Sequence, residues 1–228
     1  MATPSCLLPM ARQRDRRGKQ TNTEETLAKH SVAARAQRDF ESRCELLRQR
    51  LGEDDFLRNK GIGNEVGFFT FCYDPSLEMQ ARAFFAQLQR EGEAGKLPCN
   101  LIVRNLYDVF LNLCERKRIT QAIPKQELKT GSAKQLRQLQ KVCSPQAIAK
   151  ELEYSPHNVG DVLLITGVGE IYPLLRVHTL LDNMHASFGD IPVIVSYPGS
   201  FTGANFHLFN RLGDGNYYRA FDLSRGLE

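Results

Sequence analysis

The chain has 228 residues, of which 42% are hydrophobic and 25% charged, and its formal net charge is +4. This balance is typical of a soluble globular protein, and the length suits one domain that buries its own core. The longest apolar runs, such as residues 162–165, are far shorter than the roughly 20 residues of a membrane-spanning helix. The sequence therefore excludes a helical membrane protein.

The cysteine pattern indicates a reducing compartment. The chain has six cysteines and no CxxC pair. We expect them to be reduced and mostly buried, and we expect no zinc site, because zinc ligands usually come in closely spaced pairs. The N-terminus lacks the apolar core of a signal peptide, so we expect a cytoplasmic protein. We also expect no metal and no cofactor. The cysteines are Cys6, Cys44, Cys72, Cys99, Cys114 and Cys143.

The first sixty residues are predicted to contain a tail and a helical segment. Residues 1–20 combine prolines, a glycine and a basic cluster without apolar periodicity, which predicts a disordered basic tail. Residues 23–51 predict a helix that Thr23 caps and Gly52 ends, and a short helix is expected at 54–59. We assign residues 21–228 to one α/β domain whose N-terminal helical segment is 21–60.

From residue 66 onward, apolar runs alternate with amphipathic segments. This alternation predicts a mainly parallel sheet with helices on both faces, a Rossmann-like three-layer α/β fold. A basic helical insertion is predicted at about 116–153, with a break at Ser144-Pro145. The predicted strands are 66–73, 100–103, 161–166, 191–197 and, after a turn at 214–216, an edge strand at 217–221; the predicted helices are 76–90, 107–116 and 170–185.

Ligands of parallel sheets gather beyond the carboxyl ends of the strands. Four loops should meet there, at 74–75, 104–105, 167–170 and 198–200. Gly167 and Gly169 form a glycine turn between a strand and a helix, a type of turn that holds phosphate in some proteins. Tyr172 stands where the third glycine of GxGxxG would be, and Glu170 places a carboxylate in the first helical turn, where it would repel phosphate. Nucleotide binding at this turn is therefore kept only as an alternative.

No catalytic spacing stands out. Ser200 lacks the GxSxG spacing of a nucleophile elbow, no Walker A motif occurs, and no short motif pairs two carboxylates. His178 and His185 are two helical turns apart, about 10 Å, which is too far for one zinc ion. The sequence therefore predicts a protein that is not an enzyme.

Two surfaces are candidates for contact with a protein partner. Arg176 belongs to a polar stripe on the predicted helix 170–185, and His178 is interpreted either as a core histidine or as a partner contact. Tyr217, Tyr218 and Arg219 lie on the predicted edge strand. Arginine and tyrosine often anchor interfaces, so both surfaces are interaction candidates.

The insertion is strongly basic. Residues 115–150 contain nine lysines and arginines against two glutamates, and they contain no aromatic residue. This composition favours a solvated helical surface, an acidic partner or nucleic-acid phosphates, and it does not favour base stacking. Lys134, Arg137 and Lys141 are the nucleic-acid candidates.

Several longer segments are distinctive as sequences. They are Lys60–Val66 followed by an aromatic run that ends in Tyr73-Asp74-Pro75, Asn105–Asp108, Leu164–Leu181, Tyr197–Gly199 and Asn216–Phe221. Together they resemble the BrxB family of BREX phage-defence systems over residues 40–223. The segment from Thr166 through His178 is the longest and most specific part of this resemblance.

The resemblance implies a role in BREX, a multigene system that methylates host DNA and blocks phage replication. It implies as partners a PglZ-type phosphatase-like protein first, and a BrxC-type ATPase and a PglX methyltransferase as further candidates. No catalytic residues are carried over from the family. The sequence therefore favours a non-enzymatic adaptor, with a nucleic-acid-binding subunit and a nucleotide-binding protein as alternatives.

Overall fold

The computed structural model describes residues 14–59, 67–203, 205–213 and 220–223, with side chains from residue 31 onward. The backbone packing divides the chain into two compact units, residues 1–39 and 40–228. Helix α1, Arg14–Arg50, begins earlier than the predicted Thr23. The earlier start has a simple reason, since residues 14–50 contain no proline and many good helix formers. Residues 1–13 of the predicted tail lie outside the described residues.

The second unit carries the sheet and its covering helices, and no helix of the described ranges is long and apolar enough to cross a membrane. After α1 the elements are α2 Asp54–Leu57, β1 Phe68–Tyr73, a 3-10 turn Pro75–Leu77, α3 Glu78–Glu93, β2 Asn100–Asn105, α4 Leu106–Arg116, α5 Ala122–Thr130, α6 Ser132–Val142, α7 Pro145–Leu152, β3 Asp161–Thr166, α8 Val168–Ile171, α9 Val177–Met184, β4 Val193–Phe201, β5 Phe206–Leu208, β6 Leu212–Gly213 and β7 Phe221–Asp222.

The main sheet is parallel, with the strand order β2-β3-β4-β1-β7. Leu164 of β3 and Phe69 of β1 both pair with Ile194 of β4, so β4 lies at the centre. These strands are apolar on both faces because both faces are buried. Strands β5 and β6 extend the end of β4 as antiparallel strands, which the sequence did not predict.

Helices cover both faces of the sheet, which confirms the predicted three-layer α/β fold. Alternate β1 side chains point to opposite faces. Phe68 and Cys72 belong to the larger core, which is built with α4, α7, α8 and α9. Phe71 lies in the other core, where its ring centroid is 6.0 Å from that of Phe40 in α1 and 5.3 Å from that of Phe85 in α3.

The predicted helix 170–185 was wrong as one element, because it is two helices, α8 and α9. Pro173 has no backbone N–H for a helical hydrogen bond, and it forces the preceding residue out of the helical region. Tyr172 accordingly has an extended backbone, with φ −66° and ψ 137°. The chain resumes a helix only after Arg176, which is also extended.

The basic insertion contains three helices, α5, α6 and α7, in place of the two expected. Gly131 separates α5 from α6 with φ +80°, a conformation that glycine adopts readily. Ser144 caps α7, and its Oγ accepts a hydrogen bond from the Ala147 amide at 3.2 Å. At the other end of the chain, β7 pairs with β1 at the sheet edge, whereas the predicted turn 214–216 and residues 217–219 lie outside the described residues.

Candidate functional site

A cleft of about 340 Å³ opens at the carboxyl ends of the parallel strands. The predicted meeting of loops is found here: the segments after β2 and β3 line the cleft, and Pro75 and Pro198 line an adjoining depression. The carboxyl ends of the strands contribute mainly polar side chains, because these ends lie beyond the apolar core. The lining includes Tyr73, Glu78, Arg82, Gln89, Asn105, Asp108, Thr166, Gly167, Glu170 and Ser196.

A chain of polar contacts runs across this cleft and joins α3 to the turns after β2 and β3. The Tyr73 hydroxyl donates to Glu78 Oε2 at 2.7 Å, and Arg82 Nε donates to Glu78 Oε1 at 2.8 Å. The Arg82 guanidinium also pairs with Glu170 Oε1. Asn105 Nδ2 in turn donates to Glu170 Oε2 at 3.3 Å. We call these five residues the edge network.

The ionisation of the edge network fits these contacts. Burial and the hydrogen bond to Glu78 raise the pKa of the Tyr73 phenol far above its ordinary value, so the phenol stays neutral. Partial burial alone would lower the pKa of Arg82, but Glu78 and Glu170 together raise it. Arg82 thus bridges two carboxylates. With Asp108 included, the cleft has three carboxylates against one guanidinium, a charge balance that disfavours anionic ligands.

Both glycines of the turn after β3 have packing roles. Gly167 has φ +77°, and a Cβ atom there would lie 2.5 Å from Asn105 Oδ1. A Cβ atom on Gly169 would lie 3.0 Å from Phe209 Cε1 and 3.2 Å from Pro198 Cγ. Asn105 Oδ1 itself accepts from the Tyr107 and Asp108 amides and so caps α4. The turn is therefore built around the Asn105 side chain.

Two of the amides that follow this turn are already bonded within it. The N–H groups of Glu170 and Ile171 both donate to the Gly167 carbonyl, at 3.1 and 3.0 Å. Glu170 lies in the first turn of α8, and its carboxylate is half-buried beside Arg82. Nucleotide binding by Gly167, Gly169 and Glu170 stays a prediction, and these contacts disfavour it.

The predicted contact residues on α9 differ in exposure. His178 is only 6% exposed, as the core-histidine interpretation expects, so its side chain is not part of the accessible surface. Arg176 is exposed at the start of α9, next to a shallow apolar depression. That depression is lined by Val168, Tyr172, Leu175, Val177, Tyr197, Leu208 and Leu212. Tyr217, Tyr218 and Arg219 lie outside the described residues.

A second polar cluster lies at the opposite, amino edge of the sheet. Asp161, the first residue of β3, is 2% exposed. Its carboxylate accepts hydrogen bonds from Asn100 Nδ2 at 2.8 Å, the Tyr154 hydroxyl at 3.1 Å and the Asn158 amide at 3.0 Å. Burial alone would raise the pKa of Asp161, but these hydrogen bonds lower it below its ordinary value. The cluster fixes the starts of β2 and β3.

Sequence reasoning missed the central residue of the edge network. Arg82 was read as part of an ordinary amphipathic helix, and its one local signal is the i,i+4 spacing from Glu78. Its contact with Glu170 joins residues from distant parts of the sequence, and no local pattern encodes it. The network was therefore visible only after folding.

The fold and the cleft together define the class of this protein. It is a three-layer α/β protein with a parallel sheet, and the charged side chains at the carboxyl ends of its strands pair mainly with one another. The family model of "BREX protein BrxB" matches residues 102–223. A BREX protein BrxB of Bacillus cereus (strain H3081.97) is 32% identical over 191 residues, covering 82% of this chain and 98% of the relative. Another, from Escherichia coli O9:H4 (strain HS), is 31% identical over 189 residues, covering 81% and 91%.

The chain belongs to the BrxB family. Membership implies a role in BREX antiviral defence. The resemblance noted in the sequence is thereby confirmed over most of the chain. No solved structure gave a significant match.

Proposed function

We propose that this protein is a non-enzymatic adaptor that assembles BREX proteins, with a PglZ-type phosphatase-like protein as its first partner. A BrxC-type ATPase and a PglX methyltransferase are further candidate partners. Family membership supports the BREX part of the proposal. The observation that supports the adaptor part is the pairing of the cleft's charged groups with one another.

Catalytic acids, bases and nucleophiles need ionisation states matched to their task. In this cleft Arg82 bridges the Glu78 and Glu170 carboxylates, and the phenol of Tyr73 is held neutral as a donor to Glu78. These contacts tie three segments of the fold together. Such an arrangement supports a structural role for the edge network in preference to chemistry on a substrate.

The surface around Arg176 has the composition of a protein contact. An exposed arginine stands beside an apolar depression whose lining includes Tyr172, Leu175 and Leu208. Interfaces commonly combine an apolar centre with arginine and tyrosine anchors. The proposed partner would pack an apolar side chain over the depression and bring an acidic group close to the exposed Arg176.

The test is the affinity of the purified full chain for the PglZ-type protein, measured by biolayer interferometry. Arg176→Glu should weaken binding at least tenfold, because it reverses the charge beside the apolar depression. Arg90→Glu is the matched control, since Arg90 is also exposed but lies near the end of α3. Equal affinities for both variants and the wild type would reject this surface, and no binding by the wild type would reject the PglZ-type partner.

A further inference from the structure

Helices α5 and α6 pack against each other and are joined at Gly131. They present five exposed cations, and we call this surface the basic hairpin; its cations are Lys125, Lys129, Lys134, Arg137 and Lys141. None of the five forms an ion pair with an acidic side chain of the described ranges. Other described cations do so, as Arg48 does with Glu91 and Arg116 does with Glu151. The positive charge of these five side chains is therefore exposed to solvent and accessible to an anionic ligand.

The cations of α6 share one face. Lys134, Arg137 and Lys141 are spaced by three and four residues, which aligns them along the helix. The opposite face holds Gln135, which is 6% exposed, and Leu139, which packs against the core. Packing thus fixes the orientation of α6 and turns its cations to solvent. From Lys134 to Lys141 the stripe is about 10 Å long, a length over which duplex nucleic acid carries about six phosphates.

The lysine-rich composition of the basic hairpin favours nucleic acid over an acidic protein as its ligand. Protein interfaces are depleted in lysine and enriched in aromatic residues, whereas four of the hairpin's five cations are lysines and residues 115–150 contain no aromatic side chain. Single strands bind through stacking on aromatic rings, which this segment cannot provide. The remaining match is the phosphate backbone of a duplex, contacted without reading its sequence.

We propose that the basic hairpin binds the phosphate backbone of duplex DNA without sequence preference. This function is separate from the adaptor role and does not depend on it. Each phosphate contact releases counterions, so five contacts give a slope of about −4.5 in a plot of log K against log salt concentration. Removing the three α6 cations should make that slope shallower by about 2.7.

The experiment is fluorescence anisotropy with the full chain and a labelled 20-base-pair DNA duplex of random sequence, titrated between 50 and 200 mM NaCl. The test variant is Lys134→Gln/Arg137→Gln/Lys141→Gln. The charge-conserving variant Lys134→Arg/Arg137→Lys/Lys141→Arg keeps the phosphate contacts. A matched control, Arg90→Gln/Lys96→Gln/Arg104→Gln, removes the same charge from exposed residues outside the hairpin. Circular dichroism melts confirm that all variants fold.

The proposal expects the glutamine variant to lose at least tenfold in affinity at 50 mM NaCl and to show the shallower slope. The charge-conserving and matched control variants should each stay within threefold of the wild type. Absence of duplex binding by the wild type at 50 mM NaCl would overturn the proposal. So would equal losses in the glutamine variant and the matched control. Binding to poly-L-glutamate without binding to the duplex would also overturn it, and would assign the hairpin to an acidic protein.

Discussion

Replacing Gly167 by alanine tests how the turn after β3 is built. Gly167 has φ +77°, and an added Cβ would meet Asn105 Oδ1 at 2.5 Å. The left-handed conformation alone costs about 1–2 kcal/mol for a residue with a Cβ. Since Asn105 must also move, α4 loses its cap. Loss of a cap costs a further 0.5–2 kcal/mol, with about 1 kcal/mol as the typical value. The free energy of unfolding should fall by about 1.5–4 kcal/mol in total.

The chain offers a matched control for this substitution. Gly95 has φ +66° but no atom within 4 Å of its added Cβ, so Gly95→Ala carries the backbone cost without the contact. Urea denaturation should show Gly167→Ala to be less stable than Gly95→Ala by about 0.5–2 kcal/mol, the cost assigned to the cap. For a chain of this size, a loss of 3 kcal/mol lowers Tm by about 6–12 °C.

A double-mutant cycle identifies the contact that is responsible. In an Asn105→Ala background the cap is already lost and the space beside Gly167 is open. Gly167→Ala should then cost only about 1–2 kcal/mol, as at Gly95. Two results would contradict this role of Asn105. One is equal destabilisation by Gly167→Ala and Gly95→Ala in the wild-type background, and the other is an unchanged cost of Gly167→Ala in the Asn105→Ala background.

Three further outcomes are expected. Arg82→Met should destabilise the fold by about 1 kcal/mol in urea titrations, a modest loss because Arg82 is half exposed. The additional Glu170→Gln change should restore part of the lost stability. Equal stability of the wild type and Arg82→Met would contradict the bridging role. In thermal-shift assays, 1 mM ATP or GTP with magnesium should leave Tm unchanged, whereas a shift above 2 °C would reinstate nucleotide binding at the cleft, since a ligand of the native state must stabilise it. The pKa of Asp161 is lowered by folding, so the stability it contributes is present above its unfolded pKa of about 3.9 and is lost as the pH falls through the folded value. Asp161→Asn should accordingly flatten the fall in unfolding free energy between pH 5 and pH 2, and an unchanged pH profile would contradict this assignment.

The parallel core was predictable because buried strands leave a strong local pattern. Strand β3 spans Asp161–Thr166, the range that the apolar run predicted. The helix predicted at 170–185 is wrong because its apolar periodicity continues across Pro173, whose missing N–H and effect on Tyr172 end the first helix. Gly131 was overlooked in the same way, although a glycine between two short polar segments favours a helix end.

The candidate site was predictable in position but not in composition. The strand order brings the predicted loops together, so a parallel-sheet fold was enough to locate the cleft. The contact between Arg82 and Glu170 depends on how α3 is placed over the turn after β3. That placement follows from packing of the Phe71 and Phe85 side chains, which no short sequence pattern specifies.

The proposed adaptor function can be tested by size-exclusion chromatography with light scattering of the full chain mixed with the PglZ-type protein at micromolar concentration. The proposal predicts a single peak whose mass is the sum of the two proteins. Addition of the BrxC-type ATPase should then extend or leave intact that complex. Two separate peaks at the masses of the individual proteins would contradict the adaptor function.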